Sequence, residues 1–261
     1  MTKKRLDLLL VEAGLVESRS LAQRLVMAGQ VRVDGQVVTR PAAPYSDGVR
    51  LEIDQGPPYV SRGGEKLAAA LQAFSPAVQD QICADIGAST GGFTDCLLQN
   101  GARRVYAIDV GKGILHWKLR QNPRVVVMEE TNARYVEHLP EPAGFVAIDA
   151  SFISLKLLLP AALGWLQPGA QLVALIKPQF EAGRAEVARG EGVVRDPTVH
   201  RRVLLDVLDY AAQQGFAVRG LLRSPLVGPK GNAEFLAWFE WPVPPGFTQP
   251  DLAALVAAVL S

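Results

Sequence analysis

Four charged residues stand at the ends of apolar segments. Asp149 closes Phe-Val-Ala-Ile-Asp, and Lys177 closes Val-Ala-Leu-Ile-Lys. Glu234 opens Glu-Phe-Leu-Ala-Trp-Phe, and Lys66 opens Lys-Leu-Ala-Ala-Ala. Taken alone, a charge at a strand end reads as a solvated side chain. Taken together they read differently, because ligands of open α/β sheets bind just outside the carboxyl ends of the strands. Burial lowers a lysine's proton affinity and a neighbouring carboxylate raises it. A lysine set between those influences can take a proton from a hydroxyl nucleophile. Lys177, directly behind four apolar residues and followed by Pro178, fits that description best.

A second set lies upstream. Residues 83 to 93 read Cys-Ala-Asp-Ile-Gly-Ala-Ser-Thr-Gly-Gly-Phe. A short apolar strand meets Asp85 and then a turn containing Gly87, Gly91 and Gly92, which allow close backbone approach to a ligand. Arg104 to Asp109 is a second apolar strand ending in a carboxylate, 24 positions after Asp85. Asp109 is placed to accept hydrogen bonds from both hydroxyls of a ribose. The spacing Asp-x-Gly-x-x-x-Gly lacks the first glycine of dinucleotide-binding turns, which argues against a pyrophosphate cradle. It points to S-adenosyl-L-methionine, an adenosine cofactor without phosphate. A tight βα turn with no ligand is the bland alternative.

The third set is basic: Lys3, Lys4, Arg5, Arg19, Arg24 and Arg32. Through residue 40 there are seven basic and four acidic residues, a surplus of three. Read alone, this set is either a solvated helix face or a grip on nucleic-acid phosphates. The whole chain has 27 basic and 26 acidic residues, so any nucleic-acid site is a local patch. Cys83 and Cys96 fall in apolar segments and read as reduced core thiols of a cytoplasmic protein. His116, His138 and His200 form no metal spacing with each other or with the cysteines, so no metal is expected. Trp117, Trp238 and Trp241 read as packing residues. No signal peptide is visible. No run reaches the roughly 18 apolar residues of a membrane helix; the longest candidate, 155–166, is interrupted by Lys156 and Pro160.

The elements that must position these residues follow from periodicity. The 261 residues suffice for one large domain and a small one. Residues 1–55 form a module of two helices, 5–13 and 19–28, the second capped by Ser18. A hairpin turning at Asp34-Gly35 and a strand at 51–53 complete it. Residues 56–62 read as a linker, and 63–261 as the larger domain. There a helix over 66–74 precedes strands at 82–86, 105–109, 125–129, 145–149 and 172–177. Helices at 92–100, 114–120 and 153–166 alternate with them. Asp196-Pro197 opens a helix to about residue 214. Strands at 216–222 and 234–241 and a helix over 251–260 close the chain. This alternation implies a Rossmann-like, doubly wound parallel α/β sheet; seven strands ending in a hairpin, mostly parallel with the last strand antiparallel, are the sheet expected of an S-adenosyl-L-methionine-dependent methyltransferase.

These residues resemble the TlyA family, named as haemolysins and regarded as ribosomal RNA 2′-O-methyltransferases. The resemblance runs over residues 3–241. It rests on Ser61-Arg62-Gly63, on residues 85–94, on Thr131-Asn132-Ala133-Arg134, on residues 149–154, on residues 177–181, and on Gly231-Asn232-Ala233-Glu234. It implies an S4-type RNA-binding domain of α+β build, followed by an FtsJ-like methyltransferase domain using S-adenosyl-L-methionine. It implies that Lys66, Asp149, Lys177 and Glu234 form the catalytic tetrad of ribose 2′-O-methylation. Asp85, Gly87, Ala88, Ser89, Thr90, Gly91, Gly92, Phe93, Asp109, Val110, Asn132 and Ala133 would surround the cofactor. The implied substrate is a ribosomal cytidine, within ribosomal RNA or an assembled subunit. The tail from about Pro242 carries none of the resemblance. Three other readings are a pore-forming haemolysin, a non-catalytic RNA-binding protein and a small-molecule methyltransferase. The first needs a membrane-active segment, the second a degraded glycine turn or tetrad, and the third no RNA-gripping module. The sequence supplies none of these.

Overall fold

A computed structural model describes residues 3–54 and 56–261. The chain divides into two compact units, Met1–Pro58 and Tyr59–Ser261.

The first unit runs β1 (Lys3–Arg5), α1 (Leu6–Glu12), α2 (Arg19–Met27), β2 (Val31–Val33), β3 (Gln36–Val38), β4 (Pro44–Ser46) and β5 (Leu51–Ile53). Ser18 caps α2, its hydroxyl accepting from the Leu21 amide at 3.3 Å. Asp34 and Gly35 both have positive φ, 50° and 82°, the turn whose twist suits a two-residue hairpin. Strands β3, β2 and β5 form one antiparallel sheet, while β1 pairs with β4. The sequence shows no β1 or β4, because three residues are too few for an alternation to register. Leu6, Leu10, Val16, Ala22, Val26, Val31 and Val33 make this unit's own core.

The second unit begins with α3 (Gly63–Phe74), and the chain enters it earlier than the linker reading placed it. The Val60 amide already donates to Asp95 at 2.9 Å. Seven strands follow: β6 (Ile82–Ile86), β7 (Arg104–Ile108), β8 (Val125–Met128), β9 (Ala143–Ile148), β10 (Leu166–Ile176), β11 (Ala217–Arg223) and β12 (Phe235–Trp241). Their spatial order is β11-β12-β10-β9-β6-β7-β8. β12 runs antiparallel to β10 and β11, and the remaining pairings are parallel. The helices are α4 (Gly92–Gln99), α5 (Trp117–Arg120), α6 (Leu155–Leu163), α7 (Pro178–Glu181), α8 (Arg184–Arg189), α9 (Pro197–Gln213) and α10 (Leu252–Leu260).

Alternate strand residues serve two cores. Ala84, Ile86, Val146, Ile148, Ala174 and Ile176 face the side covered by α6, α9 and α10. Cys83, Phe145, Ala147, Val173 and Leu175 face the side covered by α3, α4 and α5. Both faces are buried, so these strands read as apolar runs rather than alternations.

Two elements are shorter than their apolar pattern suggests. The helix expected from Ile114 starts only at Trp117, because Gly113 is left-handed at φ 70° and His116 is non-helical at ψ 138°; the Glu129 carboxylate holds this approach, accepting from the amides of Gly113, Ile114 and Leu115 at 2.7, 3.0 and 3.1 Å. Leu166, expected at a helix end, begins the long β10. Trp117, read as a packing residue, is 59% exposed and lies beside His116. Cys83 and Cys96 are free and buried, and burial pushes both thiols up to about 12. Among the described residues no helix is long and apolar enough to cross a membrane.

Candidate active site

Three strand ends and one helix start meet at one edge of the sheet. Asp149 follows β9 and Lys177 follows β10, both at the carboxyl edge of the parallel strands. Glu234 precedes β12. Because β12 is antiparallel to β10, with Ile176 opposite Phe235, its beginning lies where β10 ends. Lys66 stands on the first turn of α3.

The four form two ion pairs. Lys177 Nζ is 2.6 Å from Asp149 Oδ1 and donates to the Ser151 hydroxyl at 3.0 Å. Its approach to Asp149 Oδ1 lies off the hydrogen-bond direction, so that pair is an ionic contact. Lys66 Nζ donates to Glu234 Oε2 at 2.5 Å. Glu234 is 2% exposed and Lys177 7%, so each buried charge needs its partner. Lys177 Nζ also lies 5.8 Å from the centre of the Phe180 ring.

Two cavities of about 310 and 400 Å³ adjoin here, sharing Gly87, Ser89, Asp149 and Ser151 in their walls. The first holds Ala88, Thr90, Gly92 and Phe93 together with Lys66, Lys177 and Glu234. The second holds Asp109, Val110, Asn132 and Ala133. A third, of about 560 Å³, lies across Lys177 and is walled by Phe152, Gln179, Phe180 and Asn232, with Ser151 and Glu234 shared. Lys177 and Glu234 thus stand between two spaces.

The glycine turn shapes the first cavity. Gly87 has φ +83°, and a Cβ there would lie 2.7 Å from the Asp149 carbonyl oxygen. A Cβ at Gly92 would lie 2.4 Å from the Ser61 hydroxyl and 2.7 Å from the Gly64 amide. Asp109 ties the turn to β7: its Oδ2 accepts from the Ser89 amide at 2.8 Å and its Oδ1 from the Gly111 amide at 2.7 Å. Each oxygen keeps a second lone pair for a ribose hydroxyl. Asn132 accepts from the Arg134 amide at 3.1 Å and so fixes the turn over Ala133.

Two residues of the expected cofactor set do not line either cavity. Gly91 sits at the start of α4. Asp85 is fully buried behind the turn, where Oδ2 accepts from the Thr94 hydroxyl at 2.6 Å and Oδ1 has no partner. Burial pushes its carboxyl up to about 7, against the lowering effect of Thr94.

Sequence reasoning missed Ser61, Arg62 and Gly63 as cavity walls, and it missed Ser151 and Phe152. Phe152 is 91% exposed at φ 63° and tilts against Phe180, with ring centres 4.9 Å apart. The Asp149–Ser154 string was quoted for the resemblance, yet only the backbone geometry turns Phe152 outward.

The basic set of the first unit is not uniform. Lys3 and Arg24 are exposed. Lys4 is paired with Glu12 at 2.8 Å and Asp47 at 3.4 Å. Arg32 donates to the Gly35 carbonyl at 3.3 Å. Arg5 and Arg19 converge on one buried carboxylate, Asp7. Among the described residues no three His, Cys, Asp or Glu side chains gather to hold a metal ion.

A sheet of this order, with its last strand reversed and a glycine turn opening beside acidic strand ends, defines an α/β methyltransferase. Residues 59–241 match the FtsJ-like methyltransferase family, and residues 4–51 match the S4 domain. YqxC of Bacillus subtilis (strain 168), which carries an rRNA methyltransferase name, is 49% identical over 247 residues, 92% of this chain and 86% of its own. The 16S/23S rRNA (cytidine-2′-O)-methyltransferase TlyA of Mycobacterium tuberculosis is 47% identical over 244 residues, 91% of this chain and 90% of its own. A solved structure from Streptococcus thermophilus that carries a hemolysin name is 47% identical, with a TM-score of 0.73, covering 99% of this chain and 96% of its own. The chain therefore belongs to the TlyA family of FtsJ-like methyltransferases bearing an S4 domain.

Proposed function

We propose that this protein methylates the 2′-oxygen of a ribose in ribosomal RNA, a cytidine as in the TlyA relative, with S-adenosyl-L-methionine as donor. The observation that carries the proposal is the meeting of Lys66, Asp149, Lys177 and Glu234 where the glycine-turn cavity adjoins a second, aromatic-walled space.

The residues present fit the cofactor. Asp109, Val110, Asn132 and Ala133 would hold the adenosine end, and Gly87 to Thr90, Gly92 and Phe93 the amino-acid end. Gly87 and Gly92 leave the backbone bare where a Cβ would intrude. Bound there, S-adenosyl-L-methionine supplies a methyl group on a sulfonium, which is already an activated leaving group. The protein's own task is then positioning and proton removal. Lys177, having released its own proton to solvent, would take the proton of the 2′-hydroxyl as that oxygen bonds to the methyl carbon and the carbon–sulfur bond breaks. Asp149 and the Ser151 hydroxyl fix the amine, and the Asp149 carboxylate balances the charge that Lys177 carries once protonated. The Lys66–Glu234 pair holds the other side of the ribose. The S4 unit grips the RNA by phosphates and shape through Lys3, Lys4, Arg5, Arg19, Arg24 and Arg32. A duplex nucleotide must leave its stack to reach the site, and Phe152 offers an exposed ring beside it.

The test is label transfer from S-adenosyl-L-methionine into small and large ribosomal subunits lacking the modification. Wild type is run beside Lys177→Ala, with cofactor binding by calorimetry for both. The expected result is label in RNA from wild type, a loss of about 10²-fold or more in the variant, and equal cofactor affinity. Cofactor binding by wild type without label in either subunit would overturn the ribosomal substrate.

A further inference from the structure

Asp7 is the second residue of α1 and is fully buried, an unusual place for a carboxylate unless it is paired. Three side chains converge on it from two elements, β1 and α2. Arg5, at the end of β1, donates Nε to Oδ1 at 3.0 Å and Nη2 to Oδ2 at 2.9 Å. Arg19, the first residue of α2, donates Nε to Oδ2 at 3.0 Å. Gln23, one turn further along α2, donates Nε2 to Oδ2 at 2.8 Å. The Arg5 guanidinium in particular holds this carboxyl well below the usual carboxylate range.

The two arginines are not buried with their partner. Their side chains are 43% and 50% exposed, while that of Asp7 is 0%. Among the described residues, Asp7 is the sole carboxylate within ion-pair distance of either guanidinium. Arg5 spends one edge of its fork on Asp7, and Arg19 spends Nε alone; five donors per guanidinium leave most of them uncommitted. The anion sits behind, and two cations stand in front of it. Lys4 contrasts with this, because its partners Glu12 and Asp47 are themselves half-exposed or more and present their negative charge to solvent beside it.

We propose that Asp7 is a positioning residue for RNA binding, locking Arg5 and Arg19 into a two-pronged, pre-ordered donor for backbone phosphates. The inference rests on the reading of the S4 unit as an RNA grip and goes beyond it, since Asp7 is acidic and touches no RNA. The ordering of two long side chains is met during folding instead of at binding. The fork geometry suits bidentate phosphate contact once its orientation is fixed.

Charge alone and positioning predict opposite signs. Removing a carboxylate makes the unit more positive, so bulk electrostatics gives tighter RNA binding and a steeper salt dependence. Loss of positioning gives weaker binding and a shallower one. The experiment titrates the full-length protein against 16S and 23S ribosomal RNA transcripts at several salt concentrations, for wild type, Asp7→Asn, Arg5→Ala/Arg19→Ala, and the triple variant. Far-UV circular dichroism and thermal melting establish that each is folded. Asp7→Asn is expected to bind about tenfold more weakly, with a salt slope reduced by about one. In methyl transfer KM for RNA rises, while kcat and cofactor affinity stay. The triple variant is expected to match the double arginine variant, because Asp7 acts only through those arginines; a merely structural Asp7 would add its own loss. Should Asp7→Asn not fold, Gln23→Met removes one contact to Asp7 with no change of charge, and it too must weaken binding. A folded Asp7→Asn that binds as tightly as wild type or tighter, or a Gln23→Met variant without effect where Asp7→Asn is unfolded, overturns the role of Asp7. Failure of wild type to bind either transcript would instead overturn the RNA reading itself.

Discussion

Asp85 carries a cost that its neighbours only partly offset. It lies in the middle of the sheet, fully buried, with one oxygen bonded to Thr94 and the other unpartnered. Burial, reinforced by Asp149 and Asp109, raises its carboxyl to about 7 in the folded protein, against an ordinary value of 3.8. A carboxyl raised in the folded state binds its proton more tightly there than in the unfolded chain. The stability this contributes is fully present below the ordinary carboxylate range and is lost as pH rises through about 7. Asp85→Asn removes the titration while keeping an acceptor for Thr94. The wild-type melting temperature is expected to fall from about pH 5 to about pH 8 more than that of the variant, leaving Asp85→Asn the more stable at the alkaline end. Parallel curves for the two proteins would assign the pH dependence to another group. The spacing of Asp85, Gly87 and Gly91 marked the turn, but spacing carries no depth. Asp85 reads as a cofactor ligand in the sequence and stands behind the wall in the structure. Phe152 shows the converse, since apolar periodicity sends a phenylalanine inward, whereas a left-handed backbone at φ 63° turns this one out.

At the scale of elements, the tetrad depends on two loops staying in register, one after β9 and one after β10. Glu181, at the end of α7, joins them: it accepts from the Ser154 hydroxyl at 2.6 Å and from the Leu155 amide at 2.7 Å. Ser154 in turn caps α6. The loop that carries Lys177 is thereby fastened to the loop that carries Asp149. Glu181 is raised above the usual carboxylate range by burial, so the contact is made at a desolvated site. Glu181→Ala leaves a hydroxyl and an amide unpaired there, a loss of about 1–3 kcal/mol. We expect kcat to fall while cofactor affinity holds, with Glu181→Gln restoring most of the rate through its remaining acceptor oxygen. A drop in cofactor affinity equal to the drop in kcat would place Glu181 in support of the cofactor wall instead. The strands of this unit were legible because both sheet faces are buried and their runs are apolar. Helix α7 was not, since the four residues from Pro178 to Glu181 hold too little pattern to show a period. The late start of α5 was hidden for another reason, because the non-helical approach over residues 113–116 is held by a carboxylate nine residues beyond the helix, Glu129.

For the molecule as a whole, the two units have separate interiors. The core of Met1–Pro58 is built from Leu6 to Val33 and edged by Leu51 and Ile53, while the cores of Tyr59–Ser261 draw wholly on residues from 59 onward. The Lys66–Glu234 and Asp149–Lys177 pairs, the glycine turn and Asp109 all lie within the second unit. A fragment of residues 59–261 therefore retains its hydrophobic cores, its seven-stranded sheet and every residue of the proposed cofactor wall. It is expected to fold cooperatively and to bind S-adenosyl-L-methionine within about threefold of the full-length affinity, as measured by calorimetry. It lacks the basic surface of the first unit, with Arg5 and Arg19. The affinity for nucleic acid that phosphate contacts supply depends on salt, and losing several of them costs orders of magnitude at physiological ionic strength. The fragment's methyl transfer to ribosomal subunits is thus expected to fall by about 10²-fold or more, chiefly through KM, and the deficit should narrow as salt is lowered. Full-rate methylation by the fragment would assign RNA recognition to the catalytic unit and leave the S4 unit another task. Loss of cofactor binding by a folded fragment would show that the cofactor wall needs the first unit as well.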